Sequence, residues 1–546
     1  MLSQLYKYLQ RIVNIFHNDP NTISFIKHNQ NIFKGDKSYS KRNPVVLFEL
    51  NGMHSAHIAY SYLANVLAAK YQAKILAYLP RRHSSIREKI LFQVKSKFGA
   101  SFLGVYKSFG AQDFVEISIN GAQKLRAKKL LCEVNLRLHS KSDIEELSIE
   151  GVWIGDLVYD SYLMGNKMPT IDKDSQHFQN FLLDSLELFI FWIDFFDNND
   201  VKAINVSHCV YTLALPLRIA IARNIPSYQI SLTHAYQLQK NKLFAYNDFF
   251  EYREIFSKLP IVQQKQGIIE AEKRIERRFA GEVGVDMSYS SKSAYGSHQY
   301  PRLLKESNNQ KILIATHCFF DSPHSYGNNL FPDFWEWLEF LGKLSEVTQY
   351  DWYIKTHPDY LSGTKEIIEQ FSKKYPKFHL LPADSSHHQI IAEGINAVLT
   401  VYGTIGFEYA ALGIPVINAS QNNPHIAYDF NIHPINLDQY RAILMNIGEI
   451  KIDINRQQVF EYYYMRNIYN TQNIFLDDYD KTIESIGGYD AQFSPIMYKA
   501  WLGSLTPIRH QAIIRRLNNF INSGDFRMGN QHFQNSESKH HLSGEI

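Results

Sequence analysis

At 546 residues, with 45% hydrophobic and 20% charged side chains and a formal net charge of +3, the chain reads as an ordinary globular protein of two or three domains. A balance this small neither favours nor excludes nucleic acid by itself, but no basic–aromatic stripe stands out, so no nucleic-acid partner is expected. Cys132, Cys209 and Cys318 lie far apart, which excludes a metal-ligand spacing and suits reduced thiols in a cytosolic protein, and none of the 22 histidines forms a paired zinc motif.

Leu2 to Phe16 places Leu2, Leu5, Leu9, Ile12, Val13 and Phe16 on one face of a helix that either lies on a membrane surface or packs on its own domain. His28 to Asn43 is polar and basic and reads as a loop, so residues 1–44 are set apart as a helix and a loop. No signal peptide is visible. Phe181 to Phe196 is too short, and too charged at Asp184, Glu187 and Asp194, to span a bilayer. A cytoplasmic protein is expected, with peripheral association at the inner membrane through the first helix and the basic stretch Arg509 to Arg516 as a further expectation.

The first domain, residues 45–283, begins with the apolar strand Val45 to Leu50, a loop from Asn51 to His57, a helix to about Lys70 and a strand from Lys74 to Tyr78. Strand, glycine loop, helix and strand open a doubly wound sheet. Ala203 to Val206, a helix from about Val210 to Arg223, and Ser227 to Leu232 continue it, while Phe178 to Phe196 reads as a buried helix and Glu251 to Phe279 as a charged one. Residues 284–309 are rich in Ser, Tyr, Gly and Asn without apolar periodicity and read as an interdomain linker.

A second alternating series fills residues 310–450. Its strands are Ile312 to Thr316, Trp352 to Lys355, Phe378 to Leu381, Ala397 to Val401 and Val416 to Asn418, with helical patterns between them. Helices are expected from Leu437 to about Ile468 and from Met497 to Ile521, giving a helical extension over 451–522, and the polar tail 523–546 reads as disordered. The expected fold is α/β, two Rossmann-like domains facing a cleft, with a C-terminal helical extension.

Functional residues of such a pair should sit just after strands. Val401-Tyr402-Gly403-Thr404 turns from a buried strand into a short helix carrying Glu408, four residues beyond Thr404 and so on the same helical side. The N–H groups of that first turn form an anion site to which a hydroxyl can add a donor. Lys355-Thr356-His357-Pro358 ends another strand with a base, a hydroxyl and a histidine that can donate to a phosphate oxygen, and Pro358 can open a helix. His317, Asp321 and Ser322 lie on the polar loop after the strand ending at Thr316.

In the first domain, His54 and His57 follow the first strand, and Asp156 and Asp160 offer two carboxylates four residues apart. Either type can serve as general base. His208 and His234 each follow a strand and stand as further cleft candidates. The chain carries no Gly-Lys-Ser/Thr phosphate loop, no three-glycine dinucleotide fingerprint in its first loop and no Gly-x-Ser-x-Gly elbow.

At the Lys355–Pro358 and Gly403–Pro415 motifs the chain resembles the GT-B glycosyltransferases of bacterial capsule and surface-polysaccharide biosynthesis, and is similar there to CMP-sugar transferases of the Kdo and sialic-acid type. The resemblance covers residues 310–420 and extends to the first domain only by topology. It implies that His357 and Thr404 hold donor phosphate, that Glu408 holds ribose or orients the loop, and that the chemistry needs no metal or cofactor beyond a nucleotide-sugar donor as substrate. The other partner it implies is a glycan acceptor. Thr400 and Tyr402 flank the turn where the family often has a serine pair, and Gly155-Asp156 is only a loose substitute for the family's acidic base motif. UDP- or GDP-sugar donors, a sugar-nucleotide epimerase of the same shape, and a non-catalytic assembly scaffold remain alternatives.

Overall fold

The computed structural model describes residues 19–33, 44–287, 290–296, 298–357, 362–471 and 473–533. The expected helix from Leu2 to Phe16 and Pro358 lie outside these residues. Two sheets organise the chain. The first is built from β1 (Val45–Glu49), β2 (Lys74–Tyr78), β3 (Ala111–Val115), β6 (Val201–Val206), β7 (Ser227–Ile230) and β8 (Ala235–Leu238). Its order is β3-β2-β1-β6-β7-β8, parallel except for the antiparallel β8. A two-stranded hairpin, β4 (Ser148–Ile149) and β5 (Val152–Trp153), stands apart. The second sheet, β9 (Lys311–Ala315), β10 (Asp351–Lys355), β11 (Phe378–Leu380), β12 (Ala397–Thr400) and β13 (Val416–Asn418), is wholly parallel in the order β11-β10-β9-β12-β13.

Both are doubly wound sheets, as the strand–helix alternation predicts. The central strands are buried along their whole length because helices cover both faces, so they read as largely apolar runs. Four apolar clusters fill the faces, two on the first sheet and two on the second, and a fifth, aromatic-rich cluster joins Phe249, Tyr252 and Ile275 to Phe407, Tyr428 and Tyr462.

In each sheet the chain reverses direction at the first strand, between β1 and β6 and between β9 and β12. Ligands of open α/β sheets bind in the crevice such a reversal leaves at the carboxyl ends of the strands. Register sets that edge: Ala315 pairs with Lys355, and Ile314 with Leu399, so Thr316, Thr356 and Thr400 leave the sheet at one level. In the first sheet Glu49 pairs with Tyr78, and Phe48 with Asn205, which brings Asn51 and Ser207 to the same rim.

Several expectations are corrected. Residues 28–32 belong to the helix Pro20–Ile32, capped by Asp19 accepting from Asn21, and not to a loop. β3, the hairpin and β8 have no counterpart in the sequence reading; β3 is an edge strand whose residues 112 and 113 are exposed, so it lacks the apolar run of its neighbours. The C-terminal helices divide: Arg456–Tyr463 packs on Ile261–Phe279 and Ile405–Ala411, whereas Ile496–Ser504 and Pro507–Ser523 return to the first domain beside His54–Tyr71. Residues 525–533 are ordered. Met528 N–H donates to the Ala235 carbonyl (2.9 Å), Gln237 N–H to the Phe526 carbonyl (2.8 Å), and Arg527 pairs with buried Asp248 (3.0 Å). The chain end thus covers the open edge of β8, which would otherwise expose unpaired backbone groups. Among the described residues no helix is long and apolar enough to cross a membrane. Within the basic stretch, Arg509 pairs with Asp477 and Arg516 stacks on Phe533, so both are used within the chain's own fold.

The domains are held together by polar contacts. Tyr159 and Thr170 both donate to Asp333, at 2.6 Å each, and Lys141 pairs with Glu336 on the following turn. The loop after β9 carries His324 into the first domain, where Asp160 and Glu145 accept from its two ring nitrogens.

Candidate functional site

A cavity of about 520 Å³ opens at the carboxyl edge of the second sheet. That is the size range of small-molecule and nucleotide sites. Its floor is the tip of β9 (Thr316, His317), the tip of β10 (Lys355, Thr356, His357) and the turn after β12 (Thr400, Gly403, Thr404). Residues of the 284–309 segment form part of its wall, among them Lys292, Ser293 and Tyr295.

His317 fixes the turn. Its Nε2 lies 3.1 Å from Thr400 Oγ1 and accepts from the N–H groups of Val401 (3.3 Å) and Tyr402 (3.4 Å). Burial, with the nearby His357 adding to it, lowers its pKa to about 3, so the ring stays neutral. Gly403 follows because nothing larger fits: a Cβ there would stand 2.9 Å from Thr400 Oγ1 and 3.4 Å from His317 Cε1. Gly403→Val is therefore expected to displace the turn and cost about 1–3 kcal/mol, read as a lower Tm; an unchanged Tm would show that the turn yields freely.

Two positive side chains reach the cavity from different directions. Burial lowers the Lys355 ammonium to about 8, and it donates to the Ala383 carbonyl (2.8 Å) rather than to a carboxylate. Arg278 ends the helix Ile261–Phe279 and pairs with buried Glu408, whose other oxygen accepts from Tyr295 OH (3.0 Å). Glu408 thus ties the short helix Ile405–Ala411 to the wall. Asp321 reaches the cavity from the loop after β9 and accepts from Tyr211 OH of the first domain (2.6 Å). Thr404 is exposed at the start of its helix, and its side chain makes no capping bond, which leaves the hydroxyl facing the cavity.

The structure thus brings together Lys355, His357, Gly403, Thr404, Glu408, His317 and Asp321. It does not bring in Tyr402 or Ser322: Tyr402 OH donates to the Ser322 carbonyl (3.0 Å), a staple behind the cavity. The four first-domain candidates for a base lie elsewhere. His57 is fully buried, with Nδ1 2.5 Å from Tyr498 OH and Nε2 2.7 Å from the Asn51 carbonyl, and burial lowers it to about 3. His54 packs beside it against the Tyr498 ring at 5.0 Å. The returning C-terminal helix covers both histidines. Asp156 is 1% exposed and held by both Arg218 nitrogens (3.2 and 2.5 Å), on the first turn of the helix Gly155–Asn166. Asp160 faces His324 in the domain interface. His234, also a cleft candidate, is half-buried with Nε2 2.6 Å from Tyr246 OH.

Sequence reading missed Arg278, Tyr295, Lys292 and His387. Arg278 reads as one of many charges on an amphipathic helix, and the Ser/Tyr/Gly-rich composition around Tyr295 suits a linker and a ligand wall equally. Among the described residues no group of three or more His, Cys, Asp or Glu could hold a metal ion.

No protein-family model matches the chain, and no curated protein matches it. Solved structures overlap it weakly. A beta Kdo 2,4 transferase, KpsC of Thermosulfurimonas dismutans, is 11% identical over 50% of this chain and 85% of its own, with a TM-score of 0.30. The UDP-GlcNAc 2-epimerase of Neisseria meningitidis is 11% identical over 76% of this chain and 97% of its own, at 0.20. A glycosyltransferase from Rickettsia africae is 11% identical over 78% and 94%, at 0.22. At such scores the two-Rossmann architecture rests on the chain's own strand order and pairing.

Proposed function

We propose that the protein is a GT-B-type glycosyltransferase that takes a sugar from a nucleotide-sugar donor, a CMP-sugar by preference, and adds it to a bacterial surface glycan. The observation that carries this reading is the cavity at the reversal point of the second sheet, where Lys355, His357, Thr404 and the backbone around Gly403 converge. A cation and hydroxyls converging on one cavity are what a diphosphate or phosphodiester needs, and they stabilise the leaving phosphate as its charge develops. Glu408, held by Arg278 and Tyr295, presents a fixed acceptor to a ribose hydroxyl. The acceptor glycan approaches from the first domain, across the cleft bridged by Tyr211 and Asp321.

The test is thermal stabilisation of the purified chain by CMP, CDP, UDP and GDP and their sugars. A CMP-selective rise is expected, and Lys355→Ala and His357→Ala should each abolish most of it. Ligand at a hundred times its Kd adds about 2.7 kcal/mol of stability, so the shift is large enough to read. Binding should also weaken as pH rises through about 8, because the Lys355 ammonium that meets the phosphate is lost there. A UDP- or GDP-selective rise would replace the donor class. No rise with any nucleotide would overturn the transferase reading in favour of a scaffold.

A further inference from the structure

The transferase reading still needs a base: His57, Asp156 and Asp160 are buried in other contacts and His54 packs against Tyr498, which leaves His208 among the first-domain candidates. One polar chain in the first domain reaches the cleft. Glu49, the last residue of β1, is 3% exposed. Its carboxylate accepts from Ser207 N–H (2.8 Å) and Ser207 Oγ–H (2.6 Å), and Ser207 Oγ lies 3.0 Å from His208 Nδ1. His208 lies at the rim, where desolvation lowers its pKa and the charge of Asp321, a residue of the cavity wall, opposes that shift. Three residues on, Tyr211 takes the left-handed backbone region (φ 62°), which costs a non-glycine residue energy, and spends that strain on the contact to Asp321.

We propose that His208 is the base that deprotonates the acceptor, with Ser207 and Glu49 as positioning residues. This rests on the transferase reading. The hydrogen-bond directions supply the argument. An ionised Glu49 holds the Ser207 hydroxyl proton, so Ser207 Oγ can only accept from His208, which places the ring proton on Nδ1 and leaves the Nε2 lone pair for the cleft. In the transfer step the acceptor O–H proton passes to His208 Nε2. The acceptor oxygen bonds to the anomeric carbon as the bond from that carbon to the donor phosphate breaks. The electron pair leaves with the phosphate, and the imidazolium returns its proton to solvent.

The chain is sensitive to the state of Glu49. Burial raises its pKa to about 7 against the opposing hydrogen bonds of Ser207. Tyr78 on β2, Tyr60 and Tyr106 on neighbouring helices and Cys209 beyond β6 are the other titratable groups around it. Protonated Glu49 no longer fixes the Ser207 hydroxyl, so turnover should rise with pH through about 7.

The test measures nucleotide release from CMP-N-acetylneuraminate, UDP-N-acetylglucosamine and GDP-mannose by the full chain, with water as acceptor, against pH. His208→Gln should lower kcat by about 10²-fold or more with KM and nucleotide-induced stabilisation unchanged. Glu49→Gln and Ser207→Ala should lower kcat less, and Glu49→Gln should remove the limb near pH 7; the isosteric amide and the surface-rim alanine guard against loss of folding. Nitrogen-15 spectra of histidine-labelled protein, assigned by the His208→Gln difference, should show the Nδ1–H form without any ligand. His208→Gln turnover within about threefold of wild type, or an Nε2–H ring, overturns the proposal and leaves the donor site standing. An unmoved pH limb in Glu49→Gln overturns the positioning role. Wild-type protein that binds no nucleotide removes the transferase reading and this proposal together.

Discussion

His324→Gln is expected to destabilise the protein by about 3–5 kcal/mol at neutral pH, through a buried charge cluster between the domains. His324 is fully buried, with Nδ1 2.6 Å from Asp160 Oδ1 and Nε2 2.9 Å from Glu145 Oε1. Desolvation alone would lower its pKa, but two carboxylates, one on each ring nitrogen, outweigh it and raise the pKa from 6.5 to about 10. The ring is an imidazolium at neutral pH, and glutamine leaves two buried carboxylates without the cation between them. Because the folded pKa lies above the unfolded one, the stability this proton provides is complete below pH 6.5 and is lost as pH rises towards about 10. Over that window wild-type stability should fall by up to about 1.4 kcal/mol per pH unit from this group. His324→Gln should lack that slope, so the two Tm curves converge at alkaline pH. Parallel curves from pH 6.5 to 10 would show that the ring is neutral in the folded protein.

Asp156→Asn is expected to cost a similar amount, about 3–5 kcal/mol, while leaving nucleotide binding intact. Asp156 and Arg218 are 1% and 2% exposed at their side chains, and the guanidinium lies against the rings of Trp153 (4.7 Å) and Phe244 (5.1 Å). Removing the carboxylate charge strands a buried cation against two aromatic rings. The double substitution Asp156→Leu with Arg218→Met should recover part of the loss, since it removes both charges together. The measurements are Tm and nucleotide-induced stabilisation of each variant. Lost turnover in Asp156→Asn at an unchanged Tm would return Asp156 to the catalytic set.

Asp156, Asp160 and His57 show why side-chain partners are hard to read in the sequence. Gly155-Asp156 reads as a loose substitute for an acidic base motif, but it opens a helix, and the arginine that neutralises it stands 62 positions away. Asp160 is matched by a histidine 164 positions on, carried across the domain interface by the loop after β9. His57 meets Tyr498, from a helix that leaves the second domain and returns to the first. In each case the partner is distant in sequence and no local pattern announces it.

The second domain was far more legible. Its central strands β9, β10 and β12 are buried and mostly apolar, and the motifs that line the cavity are contiguous segments at strand ends, so Lys355, His357, Gly403 and Thr404 could be placed there by position alone. Local chemistry dictated these elements: apolar runs for strands, glycine where a backbone must approach, a hydroxyl at a helix start. Pairing decided the rest. Which histidine is neutral and covered, which carboxylate is neutralised, and which side chain is left facing the cleft depend on charges and hydrogen bonds between segments 62 to 441 positions apart, and only the tertiary structure sets those distances.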